Sequence, residues 1–234
     1  MSARALARYF SCWSALGTDR QWLSWHPKGN VLAAGCEDAT VWLWNCEYPA
    51  FISPDGSLIT VPSGNTMGVL SGHTLPCTAG AWLPSGKTLV TASADSTLIH
   101  WDPRTSSPIF KSSIFCAPGS DQLDPEIHGI TTLAIAPNGQ IAACGSNNGL
   151  VKTVNLADGK VVGKLTGHEE GESVEALVFV DVLGGQGGGK GVVLVSGATD
   201  GKGFVWDLAT GRVRAEIKHD VSCFSIHART RVGV

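Results

Sequence analysis

The sequence lacks the short motifs on which most enzyme classes depend. It has no Gly-x-Ser-x-Gly elbow for a serine nucleophile, no His-Glu-x-x-His zinc motif, and no histidine pair at metal-ligand spacing. These absences predict a protein that is not an enzyme and that needs no metal and no cofactor. They also give no reason to expect a small-molecule substrate.

Long hydrophobic runs and a marked charge of one sign are missing too. No apolar stretch is long enough to cross a bilayer, so no membrane association is expected. The net charge of -3 is too small to indicate a partner, and Lys and Arg are dispersed, which disfavours direct nucleic-acid binding. The 7 cysteines include no Cys-x-x-Cys pair, which favours reduced, buried thiols in a cytoplasmic or nuclear setting.

What the sequence does contain is one pattern that occurs four times. In its clearest copy, LVSGATDGKGFVWDLATG at 194–211, a turn acid precedes a Trp by six residues. The four copies keep that interval at Asp38 and Trp44, Asp95 and Trp101, Asn148 and Val154, and Asp200 and Trp206. Successive copies are 57, 53 and 52 residues apart. Such a period indicates repeated units that bury their cores against one another.

Each copy has the pattern of short strands. Apolar residues alternate over runs bounded by Gly, Asn, Asp and Ser, as in LVTAS and TLIHW, which is typical of half-buried strands. One further run precedes each pair and one follows it, so each unit is predicted to hold four antiparallel strands. Radial repetition of such sheets is the plan of a β-propeller, which leaves only short, protected edges.

Two copies carry a more specific signature. Gly72-His73 with Trp101-Asp102, and Gly167-His168 with Trp206-Asp207, resemble WD-repeat (WD40) propeller blades. In that family a His, a strand Ser or Thr, the turn Asp and the Trp form a hydrogen-bonded chain. The resemblance implies two such chains here: His73, Thr91, Asp95 and Trp101, and His168, Ser196, Asp200 and Trp206. The copies at Asp38 and at Asn148 lack parts of the signature, so they are expected to hold their turns without the full chain.

Some of these residues allow a second interpretation. The His and Asp residues resemble acid–base dyads by type, and Ser196 resembles a nucleophile, but buried bonds that stabilise a blade are the favoured interpretation. Trp22, Trp25, Trp42 and Trp82 are expected to pack in the core or between blades, with binding anchors as the alternative.

The resemblance extends to one branch of the WD-repeat proteins. The segments DRQWLSWHPKGNVLAAGCEDATVWLWN and PCTAGAWLPSGKTLVTASADSTLIHWD, then DGKVVGKL and EGESVEALVF, are similar in order and spacing to the family of angio-associated migratory cell protein and its fungal counterpart. That family implies a dedicated chaperone of a newly made, basic large-subunit ribosomal protein, acting in ribosome assembly, and animal members are tied to cell migration. A non-enzymatic protein-binding scaffold is therefore expected, with a generic WD-repeat adaptor in signalling or ubiquitin transfer as the alternative.

Four copies are fewer than closed propellers of this family usually have. We therefore expect an all-β, WD40-type propeller that is incomplete, with partial flanking blades and with marginal stability or a tendency to associate. The start MSARALARYFSCWSA favours a mis-assigned first exon over a cleaved targeting peptide. The predicted segments are an extension or blade remnant at 1–15 and a partial propeller at 16–234, with blades at about 18–70, 71–127, 128–166 and 167–217 and a further blade beginning at 218–234.

Three insertions interrupt the repeat, at 46–70, 112–127 and 183–191. The last reads LGGQGGGKG, but it lacks the ordered phosphate-loop pattern and no helix follows it, so a flexible hairpin is predicted. The second insertion and the loop after Gly167 are acidic, and on a common rim they would suit a basic peptide through complementary potential. This candidate acidic rim consists of Asp121, Asp124, Glu126, Glu169, Glu170 and Glu172.

Overall fold

All regular structure in the described part of the chain is β-strand. The computed structural model describes residues 20–47, 50–52, 58–60, 63–115, 128–183 and 190–218. Within these ranges there are four four-stranded antiparallel sheets and one short two-stranded sheet. No helix capable of spanning a membrane occurs in these ranges. The predicted all-β architecture of four-stranded blades is confirmed, whereas the extension at 1–15 and nearly all of 218–234 lie outside the described residues.

Each four-stranded sheet, called a blade below, pairs its strands in the order of the chain. Blade 1 contains β1 (Arg20–Trp25), β2 (Val31–Cys36), β3 (Thr40–Glu47) and β6 (Ser63–Ser71), with the small hairpin of β4 (Ala50–Ile52) and β5 (Leu58–Thr60) between its last two strands. Blade 2 contains β7 (Cys77–Trp82), β8 (Leu89–Ser93), β9 (Thr97–Asp102) and β10 (Ser107–Ser113). Blade 3 contains β11 (Ile130–Ile135), β12 (Ile141–Ser146), β13 (Leu150–Asn155) and β14 (Val161–Thr166). Blade 4 contains β15 (Val174–Leu183), β16 (Lys190–Ala198), β17 (Lys202–Asp207) and β18 (Arg212–Lys218).

Among the described residues, three of the four buried hydrophobic clusters span neighbouring blades, and the fourth belongs to blade 1 alone and contains Leu32, Ala34, Trp44 and Cys46. The first two strands of each blade contact the first strand of the next blade in the chain. Leu43 of blade 1 packs with Leu89 of blade 2, Val90 of blade 2 packs in one cluster with Ile130 of blade 3, and further buried clusters continue the series into blade 4. Each sheet is a single layer, so in the three clusters that span two blades the apolar residues of one sheet are covered by the next.

Trp22 joins blade 1 to blade 2 through two glycines. A Cβ atom at Gly35 in its own blade, or at Gly80 in blade 2, would overlap the indole ring. The two missing side chains therefore form the slot that accepts Trp22, and the ring is half-buried there. Its Nε1–H has no hydrogen-bond partner among the described residues, so the contact is one of apolar packing.

Hydroxyl groups join the later blades. Thr78 stands at a register shift in β7 and donates its Oγ1–H to the carbonyl oxygen of Ile130 in blade 3, at 2.5 Å. Thr131 stands at the same kind of shift in β11 and donates to the carbonyl oxygen of Val174 in blade 4, at 2.5 Å. Each hydroxyl also lies within hydrogen-bond distance of a carbonyl oxygen in its own blade, Ala92 for Thr78 and Gly145 for Thr131, so the same residue type links two successive pairs of blades.

The described cysteines are buried free thiols, as the sequence predicted for them. Burial raises the pKa of Cys77 and of Cys144 to about 12, so neither is a reactive thiolate near neutral pH. The four described cysteines are Cys36, Cys46, Cys77 and Cys144. The other three, Cys12, Cys116 and Cys223, lie outside the described ranges.

We expect Gly80→Ala to destabilise the fold by about 1–3 kcal/mol, because the added methyl group overlaps the ring of Trp22 and the backbone must shift. Chemical denaturation measures the change. The matched control is Gly191→Ala, at an exposed strand position where a Cβ atom meets nothing within 4 Å, and it should leave the free energy of unfolding nearly unchanged. Equal effects of the two substitutions would contradict the role given to the slot.

Candidate functional site

The turns between strands lie on two opposite faces that differ in charge. Because the strands of a blade alternate in direction, successive turns lie at alternate ends of the sheet. One face is formed by the turns at 37–39, 72–76, 94–96, 128–129, 147–149, 167–173 and 199–201. The other is formed by the turns at 26–30, 83–88, 103–106, 136–140, 156–160 and 208–211.

The first set of turns, called the acidic face, contains no Lys or Arg within these described ranges. Its seven acidic residues are Glu37, Asp38, Asp95, Glu169, Glu170, Glu172 and Asp200. The second set, called the basic face, carries Lys28, Lys87, Arg104 and Lys160, with Asp158 as its acidic residue. The turns of the two faces thus differ in the sign of their charge, and two cations reach the acidic face from neighbouring strands: Lys111 Nζ donates to the carbonyl oxygen of Gly72 at 2.6 Å, and Lys202 pairs with Glu169 at 2.7 Å.

Blade 2 contains a continuous chain of hydrogen bonds from its core to the acidic face. The indole Nε1–H of Trp101 donates to Thr91 Oγ1 at 2.8 Å, and the Thr91 hydroxyl lies 2.7 Å from Nε2 of His73. The Nδ1 atom of His73 lies 2.9 Å from Thr97 Oγ1, which donates to Asp95 at 2.6 Å. All four residues named in the sequence are brought together: His73 Nδ1 lies 3.5 Å from Asp95 Oδ1, and the Thr97 hydroxyl contacts both groups.

Blade 4 contains the shorter version of the same chain. Trp206 Nε1–H donates to Ser196 Oγ at 2.7 Å, and Ser196 lies 2.8 Å from Nε2 of His168. The Nδ1 atom of His168 lies 3.0 Å from Asp200 Oδ2. In this blade the position of Thr97 is taken by Lys202, which has no hydroxyl, so the imidazole and the carboxylate meet directly.

The turn acids also hold the loops that enter each blade. Asp95 accepts the backbone N–H of Thr74 at 2.7 Å, and Asp200 accepts that of Glu169 at 3.2 Å. Each acid further accepts the N–H of the residue two positions later in its own turn. One carboxylate thereby fixes two turns of the acidic face relative to each other.

Blades 1 and 3 lack the chain because the hydroxyl position is occupied by other residues. Strand register places Ala34 and Cys144 where Thr91 and Ser196 stand in the other blades. In blade 1, Asp38 accepts the N–H of Thr40 at 3.0 Å, and Trp44 is buried and stacks on Trp42 at 6.0 Å between ring centroids. These contacts hold the turn locally.

In blade 3, Asn148 replaces the turn acid and reaches into blade 4. Its side-chain oxygen accepts the N–H of Gly171 at 2.7 Å, and its side-chain nitrogen lies 3.3 Å from Nε2 of His128. Blade 3 has His128-Gly129 in place of the Gly-His pair of blades 2 and 4, and its imidazole still lies at the turn. The amide links two turns of the acidic face across the boundary between two blades.

The electrostatics of the turn acids favour their charged form. Burial alone would raise the pKa of Asp95, but hydrogen bonds from His73, Thr97 and Thr74 outweigh it and hold that pKa far below its ordinary value. The pKa of Asp200 is lowered by bonds from Lys202, His168 and Glu169 against the same cost of burial. Both acids are therefore anions in the folded protein.

The hydroxyl groups of the two complete chains are buried and already bonded. Ser196 has no exposed surface, and its oxygen already accepts the indole N–H of Trp206. Burial lowers the pKa of His168 and so favours the neutral imidazole, although the hydrogen bond to Asp200 acts in the opposite direction. Among the described residues there is also no group of three or more His, Cys, Asp or Glu able to hold a metal ion.

The candidate acidic rim is only partly available to a partner. Glu169 pairs with Lys202 at 2.7 Å, and Glu172 accepts the hydroxyl of Thr199 at 2.5 Å, so both carboxylates hold their own loop. Glu170 is exposed beside a cavity of about 350 Å³ between blades 3 and 4, which His128, Asn148 and Lys164 also line. Asp121, Asp124 and Glu126 lie outside the described residues.

Sequence reasoning missed Thr97, Thr74 and Glu37. The first two belong to the bond network of Asp95, but a threonine in a strand or a loop has no pattern that distinguishes this role. Glu37 belongs to the acidic face because its turn lies at the same end of the blades as the loop at 167–173. Alternation of the predicted strands was the available signal for Glu37.

Comparison with known proteins supports the repeat assignment. The family model "WD40: WD domain, G-beta repeat" matches residues 21–45, 64–102 and 125–153. The crystal structure of Saccharomyces cerevisiae Sqt1 is similar in fold, with a TM-score of 0.68 and 23% sequence identity over 88% of this chain and 52% of that chain.

Two curated relatives match most of the chain. Angio-associated migratory cell protein of Homo sapiens is 30% identical over 220 residues, which are 88% of this chain and 43% of the relative. Ribosome assembly protein SQT1 of Saccharomyces cerevisiae is 27% identical over 209 residues, which are 82% of this chain and 44% of the relative. The chain thus spans less than half the length of these relatives.

We expect Thr91→Val to destabilise the fold by about 2–3 kcal/mol, because it leaves the buried indole N–H of Trp101 and Nε2 of His73 without the shared hydroxyl. Chemical denaturation measures the loss, and Thr66→Val at an exposed position of β6 is the control. In a double-mutant cycle, Trp101→Phe should lower the free energy of unfolding less in the Thr91→Val background than it does alone. Additive effects would show that the two side chains are not coupled.

Stability should also fall as the pH drops below neutral. Burial lowers the pKa of His168 from the ordinary value of 6.5, so the unfolded chain binds this proton more tightly than the folded protein does. The contribution of His168 to the free energy of unfolding is complete above about pH 7, and it is lost as the pH falls through the ordinary pKa of histidine. Burial lowers the pKa of His100 as well, so His100 contributes in the same direction.

Melting temperatures between pH 8 and pH 5 test this linkage at about half-unit intervals. The substitution His168→Asn should make the melting temperature depend less steeply on pH. Ser196→Ala removes the hydroxyl of the same chain but keeps the titrating imidazole, so it should lower the melting temperature and retain the slope. A slope that His168→Asn leaves unchanged would contradict the assignment.

Proposed function

The chain carries WD40 repeats that form part of a β-propeller, and from this premise we propose that it is a protein-binding scaffold that captures a basic ribosomal protein during ribosome assembly. Two findings support the proposal. One curated relative is named a ribosome assembly protein. The other is the separation of charge between the faces, which is the observation that carries the proposal.

The acidic face suits a basic polypeptide in a way that the net charge of the chain does not. Glu37, Asp38 and Glu170 are exposed there, and the buried anions Asp95 and Asp200 add to the negative potential. A face of one sign attracts an oppositely charged partner before contact, speeds encounter, and disfavours partners of like charge. Basic segments of ribosomal proteins have the charge that this face selects.

The geometry of the turns supports rigid presentation of these charges. Asp95 fixes the turns at 72–76 and 94–96 to each other, and Asn148 fixes the turns at 147–149 and 167–173. A surface that is already ordered loses less conformational entropy when a partner binds. The proposal includes no catalytic step, and it places the activity in the cytoplasm or the nucleus, the setting that the scattered thiols favour.

The test is binding of basic N-terminal peptides of large-subunit ribosomal proteins, measured by fluorescence anisotropy at low and at high salt. We expect binding that weakens with salt, since exposed charges are screened. The double variant Glu37→Gln with Glu170→Gln should weaken it about fivefold to tenfold, since each exposed charge contributes up to about 1 kcal/mol.

The matched control removes two carboxylates away from the acidic face. It combines Asp158→Asn on the basic face with Glu216→Gln on β18, and it should leave binding unchanged. Equal loss in both double variants would contradict recognition by the acidic face. Failure of the folded chain to bind any of the peptides would overturn the ribosomal proposal and favour a generic adaptor.

A further inference from the structure

A cavity of about 380 Å³ opens on the basic face, between blades 1 and 2. Val31, Leu43 and Met67 line it from blade 1, and Trp82, Lys87 and Arg104 line it from blade 2. It lies at the opposite end of the sheets from the acidic face. The proposed capture of a basic polypeptide therefore makes no use of it.

The floor of this cavity is apolar and firmly held. Leu43 is fully buried, and Trp82 is 8% exposed, with its Nε1–H donating to the carbonyl oxygen of Ser24 at 3.2 Å. His26 packs edge-on against Trp82 at 4.9 Å between centroids. Since the indole N–H is already satisfied, Trp82 offers a ligand only its ring surface.

The imidazole of His26 is likewise occupied by the protein itself. Its Nδ1 accepts the backbone N–H of Lys28 at 3.1 Å, and its Nε2–H donates to the carbonyl oxygen of Gly86 at 2.7 Å. Gly86 has a φ of 77°, and a Cβ atom there would lie 2.7 Å from the ring of His26. The ring thus clamps the turns of two blades together and fixes the shape of the floor.

The mouth of the cavity carries positive charge on its blade 2 side. The Lys87 ammonium has no carboxylate partner among the described residues. The side chain of Arg104 is 84% exposed and pairs with Asp102 at 3.3 Å. On the blade 1 side Met67 is 53% exposed, so a flexible apolar side chain faces the two cations across the opening.

We propose that this cavity is a docking site for a linear peptide of a partner protein, with one large apolar side chain flanked by Asp or Glu. The volume has room for a side chain the size of Leu or Phe, and cavities of this size commonly bind ligands. Met67 adapts its shape to the inserted group. The flanking carboxylates lie along the blade 2 side, against Lys87 and Arg104.

This site goes beyond the proposed function, because it gives the chain a second partner of opposite charge. A basic polypeptide is attracted to the acidic face and repelled from the basic face, and an acidic peptide shows the reverse preference. The two sites lie at opposite ends of the same blades, so both partners fit at once. The chain then acts as a bridge between two proteins.

The test uses a fluorescein-labelled hexapeptide, Glu-Asp-Leu-Phe-Asp-Glu, with the full chain and fluorescence anisotropy as the readout. Two further peptides separate the contributions: one replaces Leu-Phe by Gly-Ser, and one replaces the four acids by Lys. We expect binding of the first peptide only, with an affinity that decreases as salt screens the charges.

The double variant Lys87→Glu with Arg104→Gln should weaken binding of this peptide at least about tenfold, because it reverses the charge at the mouth. Lys160→Glu, on the same face but in blade 3, is the matched control and should leave binding unchanged. Both variants should melt at the temperature of the unmodified chain, since the altered side chains are exposed.

Three results would overturn the docking site: equal binding of the Gly-Ser peptide, equal loss with Lys160→Glu, or saturation of the cavity by decanoate without any binding of the peptide. The variant pairs also keep the two proposals apart. Glu37→Gln with Glu170→Gln should leave the acidic peptide bound, and Lys87→Glu with Arg104→Gln should leave basic peptides bound.

Discussion

A four-stranded blade has two faces and cannot cover either of them by itself. Burial between neighbouring blades is therefore the interaction on which the rest of this structure depends. It places Trp22 in a slot formed by glycines of two blades, and it puts Thr78 and Thr131 within reach of the next blade's carbonyl groups. Both cavities lie at such boundaries, so the candidate binding surfaces result from the same packing.

Within this frame, the blades differ in how firmly their turns are held. Blades 2 and 4 tie their turns to a buried Trp through a hydroxyl group and an imidazole, whereas Ala34 and Cys144 interrupt that route in blades 1 and 3. In blade 3, Asn148 instead accepts a hydrogen bond from the loop of blade 4. The incomplete blades thus hold their turns in different ways: blade 1 by bonds within the turn, and blade 3 by a bond to blade 4.

Much of the fold was predictable, because three hairpins keep a six-residue interval between a turn acid and a Trp. The same interval between Asn148 and Val154 marks a fourth hairpin, and the series indicates repeated sheets. The partners of His73 and His168 followed from the family pattern. The link through Thr97 did not, because it depends on a hydroxyl group that contacts both the imidazole of His73 and the carboxylate of Asp95. The basic-face cavity also escaped prediction, since its walls come from residues far apart in the chain that meet only when two blades pack.

The chain of bonds in blade 4 has a consequence for the way catalytic sites are sought. Ser196, His168 and Asp200 have the spacing and order of a hydrolase triad, with the serine oxygen 2.8 Å from one ring nitrogen and the carboxylate 3.0 Å from the other. A template built from these three groups alone would assign a nucleophile to this blade. A fourth group, the indole N–H at 2.7 Å from the serine oxygen, distinguishes this structural arrangement from a catalytic triad. A buried serine that accepts this bond serves as a structural link.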